Sequence, residues 1–199
     1  MFIYKNKVVH SDHELQSFIN FSNKAIVEIN KKTKYGKICN IDPLYYAVQY
    51  NKIDIVKLLL DYAKNNNSIF NLNETIEVEK NWGWKKKTDT SLINATIQNN
   101  TEIFKLLIEY AENHNLILDI NFYNNIDENP LYGALKNNNT KVVKLLIEYA
   151  EKHHIIIKMN ESMRNPFLCA VWNNNIELVD LLIKNGDKHG MIIDMNNRD

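Results

Sequence analysis

The chain has 199 residues, and its 24 lysines and arginines balance its 24 aspartates and glutamates, so the formal net charge is zero. A neutral chain has no global field that would steer it toward nucleic acid or an anionic membrane. Its two cysteines exclude a disulfide framework, and no apolar run approaches the roughly 18 residues that a membrane span requires. The first residues show no signal peptide, so we expect an intracellular protein, most simply a cytoplasmic one, with the nucleus left open.

The first predicted element lies in residues 1–40. Residues 11–30 have the pattern of a single amphipathic helix with Leu15, Phe18 and Ile19 facing inward. The pattern matches the second half of the units that follow. Residues 1–40 are therefore predicted to form an N-terminal cap or half-repeat.

From residue 41 onward the sequence contains four copies of one motif. Each copy has an alanine three residues after a Leu or Phe, and a Leu-Leu pair that begins eleven residues after the alanine. The alanines are Ala47, Ala95, Ala134 and Ala170, and the pairs begin at Leu58, Leu106, Leu145 and Leu181. A constant core with variable connections indicates a stacked solenoid that forms one domain over residues 1–199. Its predicted units are repeat 1 with an insert (41–88), repeat 2 (89–128), repeat 3 (129–164) and repeat 4 (165–199).

Each unit is predicted to be a helix–turn–helix. In repeat 3 the first helix begins at Pro130, where a missing N–H is harmless, and places Leu131, Ala134 and Leu135 on one buried face. The residue four positions after the anchoring alanine is asparagine in every unit: Asn51, Asn99, Asn138 and Asn174. Asparagine tolerates the left-handed conformation that ends a helix, so this position is predicted to be a C-terminal cap.

These units resemble the ankyrin-repeat family. The segment from Asn129 to Ala134 stands for the Thr-Pro-Leu-His-x-Ala opening, Val142 to Leu146 for the second helix, and Asp119 to Asn121 for the approach to a hairpin. The resemblance covers about residues 40–199. It implies a mainly α-helical solenoid of four repeats plus an N-terminal half-repeat, with short hairpin or loop fingertips. The family's histidine is replaced throughout, by Tyr45, Ile93, Tyr132 and Leu168.

One spacing departs from the family. The distance from the second Leu of each pair to the asparagine that closes the hairpin approach is always 14 residues, as from Leu107 to Asn121. The family pattern allows about eight, so the second helix or its exit is predicted to be longer by roughly six residues. The sequence stops at MIIDMNNRD, where another hairpin would begin. A longer array is slightly favoured over a fourth repeat that caps itself.

The resemblance also implies a binding surface. In this family the positions two and three residues after the anchoring alanine line the concave face, and they mix polar with aromatic and aliphatic side chains here. The partner-binding candidates at these positions are Tyr50, Ile97, Gln98, Lys136 and Trp172. Such a surface suits a protein partner, although ordinary surface aromatics are also common.

The insert of repeat 1 supplies two more candidates, Trp82 and Trp84, which are followed by Lys85, Lys86 and Lys87. The tryptophans could anchor a protein partner, or stack on bases while the lysines contact phosphates. They could equally fold back and cover the core. Because three lysines in a neutral chain make a small electrostatic footprint, a protein contact is favoured over nucleic acid.

The remaining residues indicate no chemistry. Histidines occur near the ends of predicted second helices, as at His114 and His153, but no cysteine or carboxylate cluster completes a metal site, and no cofactor is expected. We predict a non-catalytic protein-interaction scaffold, either monomeric or part of a longer array, with nucleic-acid binding through residues 81–87 as the alternative. The identity of the partner is not readable from the sequence, since this fold serves many processes.

Overall fold

The computed structural model describes residues 2–4, 7–9, 42–79, 86–159 and 165–191. The described part contains four helix pairs, each with a first helix of seven residues and a second helix of 13. Pair 1 is α1 (Pro43–Gln49) and α2 (Ile53–Asn65), pair 2 is α3 (Ser91–Ile97) and α4 (Thr101–Asn113), pair 3 is α5 (Pro130–Lys136) and α6 (Thr140–Lys152), and pair 4 is α7 (Pro166–Trp172) and α8 (Ile176–Lys188). The helix predicted over residues 11–30 lies outside the described residues.

Each first helix has both of its ends defined by side chains. An oxygen of Asp42, Thr90, Asn129 or Asn165 accepts from backbone N–H groups of the first turn, as an N-cap does. The predicted left-handed asparagines are confirmed at the other end. Their φ angles are 57°, 55°, 54° and 50° at Asn51, Asn99, Asn138 and Asn174. The C-cap itself lies one residue before each asparagine, not at the asparagine as predicted, and the left-handed backbone stops the first helix after two turns and starts the turn into the second helix.

Each second helix also ends at a left-handed residue, which the sequence reasoning did not anticipate. These residues are Asn67, Asn115, His154 and Gly190. A helix of 13 residues is about 20 Å long and one of seven about 10 Å, so each second helix extends about 9 Å beyond the start of its first helix.

The pairs stack in two layers. Each first helix packs against the first helix of the next pair, and each second helix packs against the next second helix. All four anchoring alanines are fully buried, because a larger side chain would hold the layers apart. Of each Leu-Leu pair, the second leucine lies in the core, whereas the first is less buried and Leu58 is 41% exposed.

Two short antiparallel strand pairs complete the described elements. Strands β1 (Phe2–Tyr4) and β2 (Lys7–Val9) form one hairpin, with Ile3 opposite Val8. Strands β3 (Ile76–Glu79) and β4 (Lys86–Asp89) form the other, between pairs 1 and 2. Between pairs 2 and 3, residues 114–129 form turns and contain no strand. The fingertip is thus a hairpin at the first junction and a loop at the second.

The constant spacing of 14 residues has a structural cause. Asn73 donates its side-chain amide to the Ile117 carbonyl at 2.7 Å and accepts from the Asp119 N–H at 2.9 Å. Asn121 makes the same two bonds, to the Ile156 carbonyl and the Lys158 N–H, at 2.8 and 3.0 Å. Each asparagine therefore clamps the segment that follows the next second helix, and a change of spacing would move it out of reach.

Candidate partner-binding surface

The predicted binding positions lie where the first helices end. The position two residues after each alanine is the last residue of its helix, and the next position is the C-cap. We call these eight positions the helix-end row: Gln49, Tyr50, Ile97, Gln98, Lys136, Asn137, Trp172 and Asn173. Because adjacent first helices pack against each other, neighbouring members of the row come from helices in contact.

Asparagine side chains join successive members of the row. The Asn137 amide donates to the carbonyls of Thr96 and Ile97 at 2.9 and 3.0 Å, and the Asn173 amide donates to the Leu135 carbonyl at 2.7 Å. The Thr96 and Leu135 carbonyls also accept the N–H groups of Asn99 and Asn138, so each amide adds a second hydrogen bond at a helix end. These hydrogen bonds also join α3 to α5 and α5 to α7, so that this part of the row has a defined shape before any partner arrives.

Apolar groups are most exposed in the first and fourth pairs. Trp172 is 78% exposed and Tyr50 is 42% exposed, with the Tyr50 ring stacked on Tyr46 at 6.4 Å between centroids. Ile97 is half-buried and Gln98 is exposed between them. Large, rigid aromatic side chains that are already exposed can bury apolar area against a partner with little loss of conformational freedom.

Lys136 is the only charged residue of the helix-end row. Its Nζ lies 3.8 Å from Oε1 of Glu128, whose residue is only 5% exposed. The Asn124 amide donates both to Glu128 Oε2 at 3.2 Å and to the buried carboxylate of Asp89 at 2.9 Å. This network connects β4 and the loop before α5 to the row, and it orients Lys136 toward a buried negative charge.

The two remaining site candidates are Trp82 and Trp84, and they lie outside the described residues. The backbone on either side is described. In the ladder of β3 and β4, Glu79 is opposite Lys86 and Val78 is opposite Lys87. By sequence, this hairpin contains Glu77 and Glu79 in β3 as well as Lys86 and Lys87 in β4.

A ladder of asparagines at the interhelical turns was missed by the sequence reasoning. The N-cap asparagine of each later second helix donates its amide to the left-handed asparagine of the preceding pair: Asn100 to Asn51 at 2.5 Å, Asn139 to Asn99 at 2.7 Å and Asn175 to Asn138 at 2.6 Å. At the central junction these side chains line an open polar cleft of about 410 Å³ together with Thr101, Thr140 and Lys141. The signal that could have revealed it is the Asn-Asn doublet at three of the four turns.

The titratable groups with shifted pKa values serve the fold. Burial raises the pKa of Asp42, the N-cap of α1, to about 6, and burial raises the pKa of Tyr45 above its usual range. Hydrogen bonds from Lys152 and then from His153 lower the pKa of Glu112, and they join α4 to the end of α6. Asp42 and Tyr45 lie together at the start of α1 and Glu112 lies on α4, so the shifts are explained by the packing of the helices.

The histidines stand at the second-helix ends as predicted. His114 and His153 are the C-caps of α4 and α6, and His189 is the C-cap of α8. The His114 Nδ1 donates to the Tyr110 carbonyl at 2.8 Å, in addition to the backbone N–H of His114, which donates to the same carbonyl at 3.2 Å. Throughout the described ranges, no three His, Cys, Asp or Glu side chains come close enough to hold a metal ion. No helix among the same residues is long and apolar enough to span a membrane.

The comparisons with known proteins agree with this architecture. No curated protein matches the sequence of this chain. The family model described as ankyrin repeats (3 copies) matches residues 13–117, 63–149 and 92–197, which together cover most of the chain. Ankyrin repeats are, in general, non-catalytic modules for protein–protein interaction. On its stacked helix pairs and this match, the chain belongs to the ankyrin-repeat family.

Proposed function

We propose that this protein is a non-catalytic scaffold that binds another protein through the helix-end row and the fingertip of the β3–β4 hairpin. The contact residues that we assign are Tyr50, Ile97, Gln98, Lys136 and Trp172 in the row, with Trp82 and Trp84 in the insert. The observation that supports this most is the exposure of two aromatic side chains, Tyr50 and Trp172, on a row of helix ends held together by hydrogen bonds.

Rigidity supports this function energetically. Association costs translational, rotational and side-chain freedom, and only the surplus appears as affinity. The asparagine bonds along the row order the backbone beforehand, so a partner need not order it again. A few aromatic anchors then supply most of the binding energy, as is usual for protein interfaces.

Charge supports a protein partner over nucleic acid. The row carries one lysine, and that lysine lies beside the buried carboxylate of Glu128. In the hairpin, the strand opposite Lys86 and Lys87 contains Glu77 and Glu79. A surface with so little net positive charge would release few counterions from a phosphate backbone.

The test is an affinity capture from native extract with the wild type and with the double variant Tyr50→Ala/Trp172→Ala, at low and high salt. We expect the wild type to retain a protein partner at high salt and the double variant to lose it by at least tenfold. Ile69→Ala/Ile117→Ala is the matched control, because these isoleucines are 54% and 55% exposed and lie after the second helices, away from the row. It should bind as the wild type does.

Folding of each variant is checked by circular dichroism. Retention of the partner by a folded Tyr50→Ala/Trp172→Ala protein would refute the assignment of the row. Recovery of nucleic acid that high salt removes would shift the assignment to the insert, which Trp82→Ala/Trp84→Ala would then test.

A further inference from the structure

Helix pair 4 exposes the positions by which the other three pairs hold their neighbours. We call these positions the pair 4 end face: Val171, Asn174, Ile176, Asp180 and Asp187. Their equivalents in pairs 1 to 3 include apolar, asparagine and charged side chains that contact the following pair. They are separate from the helix-end row.

The register of Val171 is buried wherever a following pair is present, whereas the equivalents of Ile176, which are Ile53, Thr101 and Thr140, are half-buried. At the position of Val171, the equivalents Val48, Thr96 and Leu135 are at most 1% exposed. Val171 itself is 48% exposed, and Ile176 is 83% exposed. The interface between stacked pairs therefore continues onto this face, and what covers its equivalents is the first helix and turn of another helix–turn–helix.

The polar part of the pair 4 end face also indicates a helix–turn–helix as the occupant. In all three junctions the left-handed asparagine accepts an amide N–H from the asparagine that caps the next second helix, at 2.5 to 2.7 Å. Asn174 has the same left-handed backbone, with a φ of 50°. Its side-chain oxygen is equivalent to the acceptors of that ladder.

The charged residues of the pair 4 end face determine which kind of helix–turn–helix could bind there. At the register of Asp180 the equivalents are Lys57, Lys105 and Lys144, of which Lys57 and Lys144 pair with Glu102 and Glu177 of the next pair at 2.7 and 2.5 Å. Asp180 reverses that sign, and it pairs with Lys184 of its own helix at 2.6 Å. An occupant must therefore present a cation in the first turn of its second helix, where Glu102 and Glu177 lie.

A second cation is needed at the other end of that helix. The equivalents of Asp187 are Lys64, Glu112 and Glu151, and the two glutamates pair with Lys152 and Lys188 of the next pair, both at 2.5 Å. The first helix pair of a second copy does not meet these requirements, because it has Asp54 and Asn65 at the two cation registers and Lys52 at the N-cap. Asp54 would repel Asp180.

We propose that the pair 4 end face docks a basic helix–turn–helix of a partner protein. Its second helix is capped by asparagine and has lysine or arginine in its first and last turns. This contact goes beyond the proposed function and uses none of the row residues.

The probe is a synthetic peptide with the sequence of residues 129–152 of this chain, which has Asn139, Lys141 and Lys152 at the three required registers. It is titrated into the isotope-labelled full chain and followed by NMR. We expect shifts at Val171, Asn174 and Ile176, and about tenfold weaker binding when the peptide carries Lys141→Glu and Lys152→Glu. The protein variant Asp180→Lys/Asp187→Lys should reverse that preference.

The row variant Tyr50→Ala/Ile97→Ala is the control, and it should bind the peptide as the wild type does, so that failure of this proposal is distinguishable from failure of the row. The proposal is overturned by shifts elsewhere, by equal binding of the two peptides, or by no shift at millimolar peptide. Concentration-dependent self-association that is abolished by Val171→Glu would also overturn it, and would assign the face to a second copy.

Discussion

At the residue scale, Asp42 differs from its three counterparts. The other first helices are capped by Thr90, Asn129 and Asn165, which carry no charge, whereas Asp42 has a carboxyl whose pKa burial raises from 3.8 to about 6. Hydrogen bonds from the N–H groups of Tyr45 and Leu44 only partly offset the loss of hydration, and Glu74 adds a like charge. The charged form is therefore less stable in the fold than in the unfolded chain.

A pH dependence with a definite sign follows. Between pH 4 and 6 the folded protein binds more protons at Asp42 than the unfolded chain does, so stability is present at low pH and is lost as the pH rises through about 6. Asp42→Asn keeps the cap and removes the titration. The free energy of unfolding of the wild type relative to this variant should fall by about 1–3 kcal/mol from pH 4.5 to 7.5. Urea unfolding at both pH values measures it, and a constant difference would contradict the prediction.

At the element scale, an ion pair near the start of the second helices joins two of the three junctions between them. Lys57 pairs with Glu102 and Lys144 with Glu177, but the equivalent positions at the central junction hold Lys105 and Lys141. The first turn of α6 also lacks the acidic residue that α2, α4 and α8 have there. Like charges and an uncompensated helix dipole both weaken this junction.

Lys141→Glu should therefore stabilise the protein, by about 1 kcal/mol at low salt, since it creates the ion pair and places an acid in the first turn of α6. The measurement is the urea midpoint at 20 mM and at 500 mM NaCl, and the gain should shrink at the higher salt. Lys141→Gln, which only removes the repulsion, is the control and should gain less. An unchanged or lowered midpoint for Lys141→Glu would show that the two registers are not equivalent.

At the scale of the whole molecule, stability comes from the junctions between pairs. No single pair can bury its apolar face, so each element that joins two pairs contributes to cooperative unfolding. Asn139 combines two such roles, because its oxygen caps α6 through the Val142 N–H while its amide donates to Asn99 and Thr101.

Asn139→Ala should lower the free energy of unfolding by about 2 kcal/mol, because it removes the cap and both inter-pair bonds. Asn139→Ser keeps a cap but is too short to cross the junction, so it should lose about half as much. Asn113→Ala, an exposed asparagine at the end of α4, is the matched control and should change little. Equal losses for Ala and Ser would show that the inter-pair bonds contribute nothing.

The sequence by itself determined the register of the repeats, the two-helix unit, the buried alanines and the left-handed asparagines at the first-helix ends. These follow from local spacing and backbone preference, which act within a few residues. The helix-end row was also placed from the sequence, through the family resemblance, and its role in binding stays a prediction.

Only the tertiary structure decided which side chains meet between pairs. The ladder from Asn100 to Asn51, the clamp of Asn73 on residues 117–119 and the core position of the second leucine all depend on how adjacent pairs stack. The two residues of each contact lie about 40 residues apart, and the periodicity of a sequence does not show which side chains meet at that separation. The exposure of the pair 4 end face also depends on stacking, because it is recognised only by comparing pair 4 with the three packed junctions. The local sequence determines the structure of each helix pair, and the stacking of the pairs determines which side chains each pair exposes.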